Sequence, residues 1–378
     1  MDIIEVNTKR DLEKFIDFPW TVYKNDPNWV PPLKMDLRSR LDPQKHPFYL
    51  HGWAKKLIAV EGNRVLGRIL VADDPRYNEE NGTNQGTFGF FESIDDQNTA
   101  NALLGRAGDL LKDRGRGRIF GPVEYSTNYE CGSLIDGFDS PPVIMMGYNP
   151  PYYARLYENF GLTKNRDLFA WIFDLYNNTS DKWRPLLDRF DERYPIQIRS
   201  FDINRFDDDL KSCMQVYDCM RKNWWWACVS LTKAEIENYA RRLRTIALPE
   251  QIFLAEADHK PVGFFVGLPD LNEAIRPLNG KLSWFGIPGL GILRLFHRLK
   301  HVKTGRTAVL CVLPEYQKRG IAERLIMESI ARAKKHSEIN RVELGWTDEK
   351  NDKINRIIER LGARHYKTYR VYEKNLEK

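Results

Sequence analysis

The stretch best suited to binding chemistry covers residues 310–322. It opens with an apolar run that ends at Pro314, which is typical of a strand, and an amphipathic helix follows Gly320. A strand, a short turn with one glycine and a helix start form a cradle for phosphate, because the free N–H groups of the first turn and the helix dipole attract an anion. Lys318 and Arg319 add positive charge at the same place. The pattern therefore predicts a site for a phosphorylated ligand.

The same stretch resembles the acyl-CoA-binding motif of the GNAT N-acetyltransferase superfamily, V-x-P-x-x-(Q/R)-x-x-G-x-(G/A). The motif positions are filled by Val312, Pro314, Gln317, Gly320 and Ala322. The resemblance implies an α/β (α+β) fold, with acetyl-CoA or another acyl-CoA as cofactor. In the family, CoA lies in the notch where two central parallel strands splay apart. Here those strands are predicted over residues 307–313 and 341–346.

The resemblance also assigns cofactor contacts to single residues. The backbone of residues 310–313 is expected to pair with the pantetheine like an added strand. The turn is expected to hold the pyrophosphate, and Asn351 is expected near the pantetheine or the leaving thiol. The predicted cofactor-binding set is Leu310, Cys311, Val312, Leu313, Gln317, Lys318, Arg319, Gly320, Ile321, Ala322 and Asn351.

Acyl transfer from a thioester to an amine needs an oxyanion donor and a route for the ammonium proton. The Val312 or Leu313 N–H is the predicted donor. The tyrosine that often serves the family as general acid aligns with Ile358, which cannot protonate a thiolate. Three alternatives stay open: another group such as Tyr366 serves, the thiolate leaves through solvent, or the protein only binds acyl-CoA. The candidate catalytic residues are Glu343, Asp348 and Tyr366.

For the acceptor, Trp225 in the run of three tryptophans and Asn272 in the loop after a hairpin are the predicted contacts, although Trp225 suits a packing role equally well. Residues 290–303 are apolar and basic, and a helix covering the sheet is favoured over one resting on a membrane surface. His297 and His301 are spaced like metal ligands but have cationic neighbours, so no metal is predicted. Cys311 on an apolar strand is interpreted as structural.

The order of predicted elements repeats along the chain. A strand, a helix and a hairpin lead to two further strand–helix units, first from residue 3 and again from residue 196. We predict two GNAT-like domains, each a mixed central sheet flanked by helices with splayed central strands. They cover residues 1–178, a degenerate copy, and 195–378, the copy with the CoA site; a helix over 179–194 links them.

The first copy lacks the phosphate turn. The corresponding segment carries Glu92, Asp95 and Asp96 and no glycine, and each carboxylate would repel a diphosphate by roughly 1–4 kcal/mol. We therefore predict that this copy keeps the fold without the CoA site. The long loop 125–148 suits a functional role and an inter-domain packing role equally. A single helix is predicted over residues 8–23.

The composition limits the classes of protein to which the chain can belong. The chain of 378 residues is long enough for two domains, and its net charge of +6 permits an anionic ligand without indicating nucleic acid. Five cysteines without a C-x-x-C pair, together with a start that lacks a secretory apolar region, predict a cytoplasmic protein.

The predicted function is acyl-CoA-dependent N-acyltransfer, with acetyl as the first choice, to a primary amine that is a small molecule or lipid-like. The oligomeric state is not predicted. The alternative is a non-catalytic acyl-CoA sensor or scaffold. A third hypothesis, an aminoacyl-tRNA-dependent transferase built from two such domains, conflicts with the intact pyrophosphate turn.

Overall fold

A computed structural model describes residues 1–177, 180–221, 228–246, 249–284, 287–336 and 338–376. The strands are β1 Asp2–Glu5, β2 Trp53–Glu61, β3 Arg64–Asp73, β4 Gln85–Ser93, β5 Arg118–Gly121, β6 Ser133–Asp136, β7 Thr163–Asp174, β8 Gln197–Ser200, β9 Ile252–Ala257, β10 Lys260–Pro269, β11 Ser283–Trp284, β12 Ile287–Pro288, β13 Thr304–Val312, β14 Arg341–Asp348 and β15 Arg364–Asn375. The helices are α1 Lys9–Asp17, α2 Pro19–Val22, α3 Lys34–Leu41, α4 Pro75–Asn81, α5 Gln97–Asp113, α6 Tyr153–Asn159, α7 Arg184–Arg193, α8 Phe206–Arg221, α9 Lys233–Ile246, α10 Leu271–Ile275, α11 Leu290–Leu299, α12 Ile321–His336 and α13 Asp352–Arg360.

One mixed sheet of 13 strands runs through both halves of the chain, in the order β1-β2-β3-β4-β5-β15-β7-β14-β13-β10-β9-β8, with β6 paired to β15. The two halves exchange their last strands. The C-terminal strand β15 pairs with β5 of the first half, and β7 of the first half pairs with β14 of the second. Because β7 and β15 also pair with each other, the exchange joins the halves through backbone hydrogen bonds.

Each half contains two central parallel strands that pair only briefly. In the first half β4 and β5 pair from Gln85–Arg118 to Thr87–Phe120. In the second half β13 and β14 pair from Thr304–Arg341 to Thr307–Leu344. Beyond these pairs the strands separate. The predicted pair of splayed central strands is thus present twice, within one continuous mixed sheet rather than a separate sheet for each half, whereas the exact domain boundaries remain a prediction.

Helices cover both faces of the sheet. In the first half α5 contributes one wall of an apolar core with β2, β3 and β4. In the second half α12 buries the apolar face that its sequence predicts: Ile321, Leu325, Ile326, Ile330 and Ala333. On the opposite face, α1 and α3 cover the first half and α8 covers the second.

Two local predictions need correction. The helix expected over residues 8–23 is divided into α1 and α2, because Pro19 starts a new helix after Phe18. The short elements α3, α4, α10 and β6 have no counterpart in the sequence prediction. Within the described residues, no helix has both the length and the apolar character needed to cross a bilayer.

Candidate active site

The notch between β13 and β14 is the centre of the candidate site. The two strands stop pairing after Thr307 and Leu344, while β13 continues to pair with β10 as far as Val312. The register with β10 shifts at Ala308, so this residue forms a bulge at the point where the strands separate. The edge of β13 over residues 308–312 therefore faces no neighbouring strand on its β14 side within the described chain. This edge is open for a ligand that pairs like a strand.

The turn before α12 has the geometry of an anion cradle. Lys318 and Gly320 both adopt left-handed backbone conformations, with φ of 63° and 73°. In the described part of the chain, no protein acceptor hydrogen-bonds to the backbone N–H groups of Ile321, Ala322 or Glu323. These first-turn donors are thus available to an anion. The exposed side chain of Lys318 lies next to them in sequence.

Aromatic contacts hold this turn. The Arg319 guanidinium lies over the rings of Tyr316 and Tyr194, at 4.7 Å and 5.1 Å from their centroids. The Gln317 side-chain amide donates to the Val312 carbonyl at 3.3 Å. The turn is therefore fixed against the end of β13, as a preformed cradle requires.

The matching helix start in the first half is occupied by the protein's own carboxylate. Asp96 caps α5 and accepts a hydrogen bond from the Thr99 N–H at 2.7 Å. Hydrogen bonds from Thr99 lower the pKa of Asp96, so the carboxylate is held in its charged form. A second anion would meet this charge, which supports the prediction that the first half has no CoA site.

Two predicted roles at the end of β13 change. The Leu313 N–H donates to the Val262 carbonyl at 2.9 Å, so it is not a free oxyanion donor, and Val312 remains the predicted donor. Cys311 is 1% exposed, and burial raises the pKa of its thiol well above the usual range. A buried neutral thiol fits the structural role that the sequence indicates.

A cavity of about 1450 Å³ opens from the notch and is lined by both halves. In the second half its wall includes residues 306–310 of β13, residues 345–348 of β14 and one face of α8. In the first half it includes Phe90 of β4, part of α3 and two parts of the loop between β5 and α6. The long loop for which function and packing were equally favoured thus forms part of the cavity wall.

The predicted catalytic and acceptor residues, together with Leu310 and Asn351, either line the cavity, lie outside its lining or lie outside the described residues. Leu310, Asp348, Asn351 and Asn272 line the cavity, whereas Glu343 and Tyr366 lie outside its lining. The Asn351 side chain caps α13, and the Asn272 side-chain amide donates to the Pro142 carbonyl at 2.9 Å. Asn272 thereby fixes the long loop beside α10. The predicted acceptor contact Trp225 lies outside the described residues.

Glu343 and Tyr366 are brought together across β7. The Tyr366 hydroxyl donates a hydrogen bond to Glu343 Oε2, and Glu343 is fully buried within β14. Burial raises the pKa of Glu343, although Arg306, directly opposite on β13, favours its charged form. An ideal Cβ on Gly345 would lie 3.5 Å from Glu343 Oε1. Because Gly345 lines the cavity and has no side chain, it leaves this carboxylate close to the cavity floor.

Asp348, the last residue of β14, is hydrogen-bonded through one oxygen. Its Oδ1 accepts hydrogen bonds from the Lys350 N–H at 2.8 Å and from the Arg166 guanidinium at 3.4 Å. Its Oδ2 is buried and has no hydrogen-bond partner in the described chain. An unpaired carboxylate oxygen in a cavity wall is suited to accepting a proton or an ammonium group.

The polar end of the cavity in the first half was missed by the sequence analysis. Arg40 is paired with Glu124 and, at 3.3 Å, with Glu130. Burial, together with the charge of Glu130, raises the pKa of Glu124 to about 8, although Arg40 opposes the shift. In the sequence, the long loop that begins next to Glu124 is the one feature that points to a site here. The residues of the loop do not indicate that Arg40 of α3 pairs with Glu124.

Comparisons with known proteins agree with this geometry. Residues 220–363 match the acetyltransferase (GNAT) family. The chain is 35% identical to "Protein YghO" of Escherichia coli (strain K12), over 97% of this chain and 94% of the relative. It is 34% identical to "Bacterial ceramide synthase" of Caulobacter vibrioides (strain NA1000 / CB15N), over 100% of this chain and 98% of the relative.

Solved structures show the same fold at low sequence identity. A tandem GNAT protein from the clavulanic acid biosynthesis pathway superposes with a TM-score of 0.58 at 13% identity, over 100% of this chain and 99% of that one. A GCN5-related N-acetyltransferase from Sphaerobacter thermophilus gives a TM-score of 0.52 at 12% identity, over 100% and 96% of the two chains.

Proposed function

Because the chain belongs to the acetyltransferase (GNAT) family in its tandem form, we propose that it transfers an acyl group from acyl-CoA to the primary amine of an acceptor with a long apolar chain. The observation that carries this proposal is the cavity of about 1450 Å³ that opens from the splayed strands and continues into the other half. Its walls are mostly apolar side chains, and its volume exceeds what a pantetheine arm and a small amine need.

The acyl carrier is assigned to the second half. The diphosphate lies on the first-turn N–H groups of α12, with Lys318 beside it. The pantetheine pairs with the open edge of β13 and brings the thioester to Leu310, between the strands. The first half takes no second carrier, since Asp96 occupies the equivalent helix start.

The acceptor is assigned to the cavity that both halves share. The relative named bacterial ceramide synthase supports this substrate class, because a ceramide is the amide of a long-chain amino alcohol. The amine is placed at the notch and the alkyl chain extends along the apolar wall toward the first half. In the strand order, the notch between β13 and β14 lies four strand spacings, about 19 Å, from the corresponding gap between β4 and β5.

The reaction is assigned to one backbone N–H and one carboxylate. The neutral amine attacks the thioester carbonyl, and the tetrahedral oxyanion accepts a hydrogen bond from the Val312 N–H. Asp348 takes the proton from the nitrogen through its unpaired Oδ2. The departing thiolate takes its proton from solvent, since Ile358 stands at the family's tyrosine position and Tyr366 donates to Glu343 outside the cavity lining.

Thiol release tests the assignment. The purified chain is mixed with acetyl-CoA or a long-chain acyl-CoA, and with either a long-chain amino alcohol or ethanolamine as the matched short amine. We expect CoA thiol and the corresponding amide with the long-chain acceptor, and at most a few per cent of that rate with ethanolamine. Stabilisation by acyl-CoA without thiol release on any amine would instead support the acyl-CoA sensor, which the buried Ile358 at the family's tyrosine position favours.

A further inference from the structure

The surface helix α11 leaves part of its apolar face exposed. Ile292, Leu293 and Phe296 are 42%, 68% and 46% exposed. Leu295 and Leu299 lie next to Ile292 on the same face, since the spacing is three and seven residues, and they pack into the core that contains Ala274 of α10. The helix thus buries one side of a continuous apolar face and leaves the other side, an exposed stripe, open to solvent. The sequence-based preference for a helix that only covers the sheet accounts for the buried side alone.

The charge of this segment has one sign. Residues 289–303 contain no carboxylate and four cationic side chains, which are Arg294, Arg298, Lys300 and Lys303. Glu338 pairs with Lys303 and His301 at the end of the segment, and the segment itself supplies no carboxylate beside its cations. An exposed apolar stripe flanked by cations fits the interface of a bilayer that contains anionic lipids.

The apolar face adjoins the rim of the cavity. The segment before α11 is tied to the start of α3, since the Lys34 N–H donates to the Gly280 carbonyl at 3.0 Å. The next residue, Met35, is 63% exposed and lines the cavity. From the other side, α10 lines the cavity with Leu271 and Ile275 and shares its core with α11. The helix that carries the exposed stripe is therefore packed against an element of the cavity wall.

We infer that α11 docks this protein on an anionic lipid bilayer, with Ile292, Leu293 and Phe296 inserted among the lipids and Met35 facing the same surface. The docked orientation brings the cavity opening to the membrane, where an amine with a long alkyl chain is dissolved. The docking itself does not depend on catalysis. Only the identity of the delivered amine rests on the proposed function.

The test measures co-flotation of the full chain with vesicles, without acyl-CoA or amine. Vesicles of phosphatidylcholine with phosphatidylglycerol are compared with vesicles of phosphatidylcholine alone. The double variant Leu293→Ser/Phe296→Ser is compared with Leu50→Ser, which removes a leucine that is 76% exposed far from α11 in the chain. Unchanged melting temperatures show that each variant is folded.

The inference predicts that the wild-type chain and Leu50→Ser bind anionic vesicles, that neutral vesicles bind much less, and that the double variant loses binding by about 10- to 100-fold. Wild-type binding that is absent, or that persists in the double variant, overturns the inference. The inference is also overturned if the wild-type chain binds no vesicles and the double variant has a different oligomeric state, since a second copy of the chain would then cover the stripe in the wild type.

Activity distinguishes this inference from the proposed function. If the chain acylates amines, the double variant should retain its rate on an amine dispersed in detergent and lose it on the same amine in vesicles. Vesicle binding without acylation of any amine would refute the proposed function and leave the docking in place.

Discussion

Replacing Lys318 with glycine separates the backbone strain of the turn before α12 from its charge. Lys318 has a φ of 63°, and a left-handed conformation costs a residue with a side chain about 1–2 kcal/mol. Glycine removes this cost but loses about 0.5–1 kcal/mol more conformational entropy on folding. We therefore expect Lys318→Gly to raise the free energy of unfolding of the ligand-free protein by about 0.5–1 kcal/mol.

The same substitution should weaken CoA binding. A charge-assisted hydrogen bond to a phosphate contributes about 1.5–3 kcal/mol, which corresponds to a loss of about 10- to 150-fold in affinity. Stability and affinity thus change in opposite directions, which general destabilisation cannot produce. The measurements are urea unfolding without ligand and isothermal titration calorimetry with CoA.

Two controls accompany this variant. Lys318→Arg keeps the charge and should bind CoA within a few-fold of the wild type. Lys335→Ala removes an exposed lysine from the other end of the same helix and should leave the affinity unchanged. Equal CoA affinities for Lys318→Gly and Lys318→Arg would refute the assignment of the diphosphate to this turn.

Three further predictions concern Asp348, Tyr366 and Asp270. Asp348→Asn should lower kcat by about 100-fold or more with little change in the acyl-CoA Kd. The control Asp352→Asn, on the exposed first turn of α13, should leave both constants unchanged. Steady-state kinetics and calorimetry measure the two constants, and equal kcat values for the two variants would show that Asp348 takes no part in the reaction. Tyr366→Phe should leave kcat within a few-fold of the wild type for leaving thiols of every acidity, because Tyr366 lies outside the cavity lining, and a loss that grows as the leaving thiol becomes less acidic would show that Tyr366 donates the proton. Burial raises the pKa of Asp270 to about 7 in the folded protein, above the unfolded value of 3.8, so the stability that the protonated carboxyl contributes is complete below pH 3.8 and is lost as the pH rises to about 7. Asp270→Asn should therefore be more stable than the wild type at about pH 8, and this difference in the free energy of unfolding should narrow toward pH 4. A difference that does not change with pH in urea unfolding would contradict this.

Local patterns in the sequence predict the parts of the site that are built from consecutive residues. The turn at Lys318–Gly320 and the buried face of α12 follow from glycine, charge and helical spacing over fewer than 30 residues. The splayed strands follow from the family resemblance. These features need no knowledge of distant parts of the chain.

The rest of the site depends on contacts between distant residues. The exchange of β7 and β15 places Tyr366 within hydrogen-bonding distance of Glu343, and no local pattern indicates which half a terminal strand joins. The same exchange puts the first half beside the notch, so Arg40 and Glu124 become part of one cavity with Leu310. Burial of Glu343 follows from this arrangement, and its sequence neighbours alone are compatible with an exposed strand end.

The most direct test of the account is a crystal structure of the chain with an acyl-CoA thioether, which has the length of a long-chain substrate and cannot react. The account predicts the diphosphate on the first-turn N–H groups of α12, the sulfur between Leu310 and Asn351, and the alkyl chain within the cavity shared by the two halves. A diphosphate bound elsewhere, or an alkyl chain that leaves the notch into solvent while the cavity stays empty, would contradict it.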